Sequence, residues 1–175
     1  GFVGSTLMIA ARYGIARGLF SNESGMGSAP IVAAASQSRN SVRTALINST
    51  GVFWDTVVVC LMTGLVLVSS IVANDAVSSI GLEGGQLASL TFSQIPVVGK
   101  PLLVFGVMTF AFSTILGWYY YGERSMVYLF GNKVRIPYRM LWVIVTFLGC
   151  VINLGLVWKI ADALNALMAI PNLIA

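Results

Sequence analysis

Apolar residues in this chain come in runs of about 20 rather than alternating with polar ones, which predicts membrane-spanning helices and not barrel strands. Phe2 to Leu19 reads as a helix rich in small residues, with Arg12 and Arg17 interrupting its apolar character. Ala29 to Ser36 is apolar but too short to span, so the two pieces together are expected to make one broken crossing of about 30 Å. Gln37 to Arg43 is a polar, basic loop, and a spanning helix follows from Ala45 or Leu46 to Val72. Ala73 to Gly99 is a longer connection holding Asp75 and Glu83, with its own apolar patch at Leu87 to Ile95. Pro101 opens a helix to about Tyr121, Gly122 to Arg139 forms a second basic loop, and Met140 to Trp158 spans again. From Ala161 a final helix begins, after a turn at Lys159 and Asp162. The expected fold is an all-α, polytopic transmembrane bundle of about five membrane segments, the first of them broken.

The polar run between the first two pieces, Gly18 to Pro30, is where this pattern matters most. Gly18, Gly25 and Gly27 tolerate backbone angles that no helix uses. Pro30 suits the first turn of a restarted helix, and Ser21, Asn22 and Ser24 are residue types that bond free backbone groups at a break. A helix interrupted at membrane depth occurs only beside protein or a water-filled cavity. Its free amides, here Gly25 to Ser28, suit a carboxylate; its free carbonyls, around Gly18 to Ser21, suit an amine or a cation. Phe20 is then a lid or wall for a small ligand. Glu23 is either a charged member of the site or an acid paired with arginine, and the paired role is favoured. The competing interpretation is a cytoplasmic loop joining two helices.

Composition agrees with a membrane location. Of 175 residues, 57% are hydrophobic and 9% charged, against roughly 25% charged in soluble domains, and the mean hydropathy is +0.87. The net charge of +4 is spread over loops, which reads as an orientation signal and not as a nucleic-acid surface. The loops at Gln37–Arg43 and Gly122–Arg139 are accordingly expected in the cytoplasm. The Ala73–Gly99 connection and the Lys159/Asp162 turn are expected on the other side. Cys60 and Cys150 each lie inside an apolar run, as inert thiols do. With no histidine, most metal sites and every His-dependent nucleophile are excluded, and no cofactor is called for. An intramembrane hydrolase acting through Ser24 would lack a base, since Lys100, Lys133 and Lys159 fall in loops or at helix ends. Both ends of the sequence read as cut, so the chain is expected to be part of a longer protein.

Two further places put polar groups at membrane depth. Phe110 to Trp118 carries adjacent hydroxyls, Ser113 and Thr114, with Trp118 one turn beyond Thr114. Uncharged hydroxyl and carbonyl oxygens suit a weakly held monovalent cation, although such hydroxyls also bond back to their own helix. Asp55, inside the second span, is open to three readings: proton coupling, an ion pair with Arg12 or Arg17, or a position near the headgroups. The structural ion pair is favoured. Asn153 and Asn165 read as helix–helix hydrogen bonds.

The runs GIARGLFSNESGMGSAP, FWDTVVVCLMTGLV, FAFSTILGWYYYGE and ALMAIPNLIA resemble the alanine/glycine:cation symporter family, also called the sodium:alanine symporter family, over essentially the whole chain. That family belongs to the amino acid–polyamine–organocation superfamily. The resemblance implies a LeuT-like fold of two inverted five-helix repeats, of which residues 1–175 would be the second, from the broken sixth helix to the start of the tenth. It implies substrate contacts at Gly18, Phe20, Ser21, Asn22, Ser24, Gly25, Thr114 and Trp118, with Phe20 as an aromatic gate. It implies a sodium ion at Phe110, Ser113 and Thr114, and no other metal. Helices one to five of the family pattern are absent, so this chain alone is not expected to transport.

The function expected on this basis is sodium-coupled symport of a small neutral amino acid, alanine or glycine, across the cytoplasmic (inner) membrane of a prokaryote. The partners are the amino acid, Na+, membrane lipid and the missing N-terminal half; no enzyme activity is implied. The alternatives are proton coupling in place of sodium, or a channel or membrane scaffold in which the polar run merely packs helices.

Overall fold

A computed structural model describes residues 2–23, 25–73 and 84–174, and every regular element among them is helical. The chain divides into two compact units, one made of Gly1–Asp55 and Trp118–Ala175, the other of Thr56–Gly117. Asp75 and Glu83 of the expected acidic connection lie outside the described residues.

The first unit opens with α1 (Phe2–Ser21), the turn that follows it, and the single-turn α2 (Ala29–Ala33), which carries a proline in its first turn. Next comes α3 (Ser41–Val52), which starts earlier than the apolar pattern suggests because Asn40 caps it. The Asn40 Oδ1 accepts from the amides of Val42 and Arg43 at 3.0 and 3.2 Å, so the end of the basic loop becomes the first helical turn. A π-helical stretch, Phe53–Cys60, continues α3 into α4 (Leu61–Ala73). Asp55 lies in the first turn of that stretch. Insertions of this kind recur at functional sites.

In the second unit α4 packs against α5 (Gly84–Ser93), a helix where the sequence suggested only an apolar patch. Gly99 begins the long helix α6 (Gly99–Phe130), where a Cβ would fall 1.9 Å from the Phe92 carbonyl oxygen. Only glycine lets the two segments approach so closely.

Two expected boundaries are corrected. Helix α6 does not end near Tyr121 but runs to Phe130, so most of the second basic stretch is helical. The residues there support the helix at i, i+4 spacing: the Tyr119 hydroxyl donates to Glu123, and Arg124 lies 4.9 Å from the Tyr120 ring centre. The stop comes at Gly131, whose φ of 77° a side chain would strain, and a 3-10 turn, Asn132–Val134, leads into α7 (Arg135–Val151). Second, the break expected around Lys159 falls at Ile152 and Asn153. Helix α8 (Leu154–Ile174) therefore contains Lys159 and Asp162 inside it. Asn153 Oδ1 accepts from the Gly155 amide at 2.9 Å, a local capping bond in place of the expected helix–helix one.

Four helical stretches are long and apolar enough to cross a membrane: Ser41–Ala73, Gly99–Phe130, Asn132–Val151 and Leu154–Ile174. Their apolar side chains face outward, as they must where lipid or other helices are the solvent. The protein is an integral, multi-pass membrane protein. Helix α1, with its two arginines, is not among the four.

The α6–α7 hairpin in the first unit is locked by aromatic rings. Tyr119, Tyr138 and Trp142 lie with centroids 5.8 to 6.2 Å apart, and Arg139 Nε donates to the Tyr119 hydroxyl at 3.3 Å. Gly122 makes room for this cluster, because a Cβ there would lie 1.9 Å from the Tyr138 hydroxyl. Gly122→Ala should therefore lower stability by about 1–3 kcal/mol, as overpacking does, and Gly122→Ala with Tyr138→Ala should not lose the sum of the two single effects. Thermal unfolding of the detergent-solubilised protein checks this; an additive double variant would show that Tyr138 does not fill that space.

Candidate functional site

The helix break forms in the backbone first. Asn22 N–H donates to Gly18 O at 3.0 Å and Glu23 N–H to Phe20 O at 3.2 Å, closing α1 with a turn. Glu23 then stands at φ 54°, Gly25 at 74° and Gly27 at 73°, a left-handed path that only glycine takes without strain. The amides of Gly25, Gly27 and Ser28 have no hydrogen-bond acceptor among the described residues. Of the four amides expected to be free, these three are without an acceptor among the described residues, whereas the Met26 amide donates to Glu23 O at 3.5 Å. The carbonyls differ from expectation. Those of Gly18 and Phe20 already accept backbone bonds, because the turn closes on them.

Side chains hold this segment from three directions. Ser28 Oγ donates to Glu23 Oε2 at 2.9 Å, and Tyr121 of α6 lines the same cavity as Glu23. Glu23 thus ties the two sides of the break together, and its partner is Ser28 in place of the favoured arginine. Ser21 Oγ donates to Asp55 Oδ2 at 2.6 Å, joining the end of α1 to the π-helical stretch. The ion pair expected for Asp55 is likewise corrected. Arg17 pairs with Asp162 on α8 at 2.9 Å, and its guanidinium carbon lies 3.8 Å from the Trp158 ring centre. The acid that takes Arg17 was hidden by the expectation of a turn at that point.

Phe20, at the end of α1, stacks on Trp118 of α6 with centroids 5.8 Å apart and planes 14° from parallel. Trp118 meets Tyr121 edge-on at 5.6 Å. Phe20 and Trp118 were both expected at the site, and the fold brings them together. Gly18, Ser21, Asn22 and Gly25 lie on the same broken segment; Ser24 lies outside the described residues. Phe110, Ser113 and Thr114 belong to the other unit and are exposed there. Ser113 Oγ donates to Phe110 O at 2.9 Å, the back-bonding that competes with a ligand role, although its lone pairs remain open.

Three cavities surround the break in the first unit. One of about 470 Å³ is lined by Arg12, Arg17, Phe20, Met26, Asp162 and Asn165, among others. A second of about 370 Å³ is lined by Met26, Ser28, Trp118, Tyr121, Tyr138 and Trp142, among others. A third of about 310 Å³ has Ser21, Asn22, Glu23, Asn48 and Asp55 in its wall. Met26, Tyr121 and Asp162 carry much of this arrangement without having stood out in the sequence. The glycines on both sides of Met26 are the one signal that could have singled it out.

A broken helix in a chain of apolar spanning helices is an arrangement that membrane transporters use at their binding sites. The whole chain, residues 1–175, matches the model of the sodium:alanine symporter family, and the chain belongs to that family. It is 49% identical over its full length to an uncharacterized transporter of Haemophilus influenzae, covering 38% of that protein. It is 45% identical over 98% of its length to the sodium/alanine symporter AgcS of Methanococcus maripaludis, again covering 38% of the relative. With the probable sodium/glutamine symporter GlnT of Bacillus subtilis it shares 37% over 98% of its length and covers 36% of that protein. The chain thus spans little more than a third of the relatives it matches.

Proposed function

We propose that this chain is the second inverted repeat of a LeuT-like symporter that couples sodium to the inward movement of a small neutral amino acid, alanine or glycine. The observation that carries the reading is the segment Gly25–Ser28. It offers three amides without an acceptor among the described residues, on the exposed Gly25 and Gly27 and the buried Ser28, close to the stacked Phe20 and Trp118. Such amides complement a carboxylate, and the aromatic pair limits the side chain that fits beside it. Gly18, Phe20, Ser21, Asn22, Ser24, Gly25, Thr114 and Trp118 would contact substrate. Phe110, Ser113 and Thr114 would hold the sodium ion with neutral oxygens. The segments completing the site would come from an N-terminal repeat, without which the chain does not transport. The name of the Methanococcus relative supports alanine and sodium; that of the Bacillus GlnT extends the class to glutamine.

Proteoliposomes holding the full-length protein test this directly. An inward sodium gradient should drive alanine above its external concentration, and uptake indifferent to that gradient would favour a channel or scaffold. Ser113→Ala with Thr114→Ala should raise the sodium concentration needed for half-maximal uptake; an unchanged requirement would remove these hydroxyls from the ion site.

Proton coupling is a second reading, favoured by one observation. Asp55 and Glu23 both line the 310 Å³ cavity, and the partners seen for them are hydroxyls, not cations. A Bacillus relative 27% identical is named a putative sodium/proton-dependent alanine carrier. Asp55→Asn should abolish proton-driven but not sodium-driven uptake if this reading holds.

A further inference from the structure

Met26 is the one buried apolar side chain among the described residues, 7% exposed where the others are half-buried or exposed. The glycines flanking it stand at φ 74° and 73°, so its place is dictated by a backbone that few other sequences could follow. It also belongs to the walls of two cavities at once. The 470 Å³ cavity on one side is charged, with Arg12, Arg17 and Asp162, whereas the 370 Å³ cavity on the other is aromatic, with Trp118, Tyr138 and Trp142. Phe20 opens on the first cavity and Trp118 on the second, and these two rings are stacked on each other. Helix α8 continues the same wall, with Ala169 toward the charged cavity and Met168 toward the aromatic one.

We propose that Met26 is the movable partition between these two cavities, closing the passage of solute from one to the other until its side chain swings aside. An unbranched thioether with three rotatable bonds suits this task, since it fills an irregular gap yet changes rotamer without moving the backbone. The aromatic stack and the small residues of α8 supply the fixed part of the wall. This inference rests on the transport reading and assigns Met26 a positioning role, not contact with the ion.

The test uses the full-length protein in vesicles. Met26→Ala opens the gap, so sodium-independent leak of preloaded alanine should rise about tenfold, and Met26→Leu should restore tight closure. Leak at the wild-type level in a Met26→Ala protein that unfolds at the wild-type temperature would overturn the proposal. A second variant, Met26→Cys with Cys60 and Cys150 changed to serine, is treated with sulfonatoethyl methanethiosulfonate from each face in turn. Labelling from both faces is expected of a partition; labelling from one face or neither would contradict it, whether or not Met26→Ala folds. A wild-type protein that carries no alanine at all would instead refute the transport reading, and the labelling would still report on Met26.

Discussion

Replacing Gly25 by valine should abolish measurable alanine binding by the full-length protein. The reason is conformational. Gly25 stands at φ 74°, yet a Cβ built there would meet nothing within 4 Å. The cost therefore enters through the backbone, about 1–2 kcal/mol for any L-residue and more for a β-branched one. To relieve it the chain must re-aim the amides of Gly25, Gly27 and Ser28, the groups proposed to face the carboxylate. Gly25→Ala should accordingly weaken binding by about tenfold, the equivalent of 1.4 kcal/mol. Equilibrium binding of labelled alanine in detergent reads both variants. Near-normal affinity in Gly25→Val would mean that this segment is a plain connecting loop.

Trp118→Ala should have the next largest effect. It removes at once the ring that stacks on Phe20 and the ring that Tyr121 meets edge-on. Each such pair contributes about 0.5–1.5 kcal/mol beyond the area it buries, so alanine affinity should fall by roughly tenfold or more. Larger neutral side chains should be accepted better in the variant, because the wall beside the Gly25–Ser28 amides recedes. Competition of unlabelled amino acids against labelled alanine measures both effects. If Trp118→Ala keeps the affinity and the ranking of competitors, the tryptophan only packs helices.

Much of this site was legible before the structure because it depends on local chemistry. Glycines at 18, 25 and 27, with Pro30 beyond, announce a helix that stops and restarts. The i, i+4 spacing of Thr114 and Trp118 places the tryptophan one turn along the same helix. What could not be read is which partners meet across the fold. Asp55, Asp162 and Glu23 are each an acid of uncertain role in the sequence, and only packing decides that they take Ser21, Arg17 and Ser28. The misplaced boundaries share a cause. Charged residues at 122–139 and at 159 and 162 suggest loops, but Gly122 is tolerated inside α6 because Tyr138 packs on it, and Arg17 neutralises Asp162 inside α8. A charge near a span marks a loop only when nothing across the fold satisfies it.

The broken segment and its ion are proposed to act as one unit, and reciprocal binding tests that claim most directly. Alanine affinity of the purified full-length protein should rise about 5- to 150-fold between sodium-free buffer and saturating sodium, and sodium affinity should rise by the same factor when alanine is added. Equal alanine affinity in sodium and in choline would contradict the account.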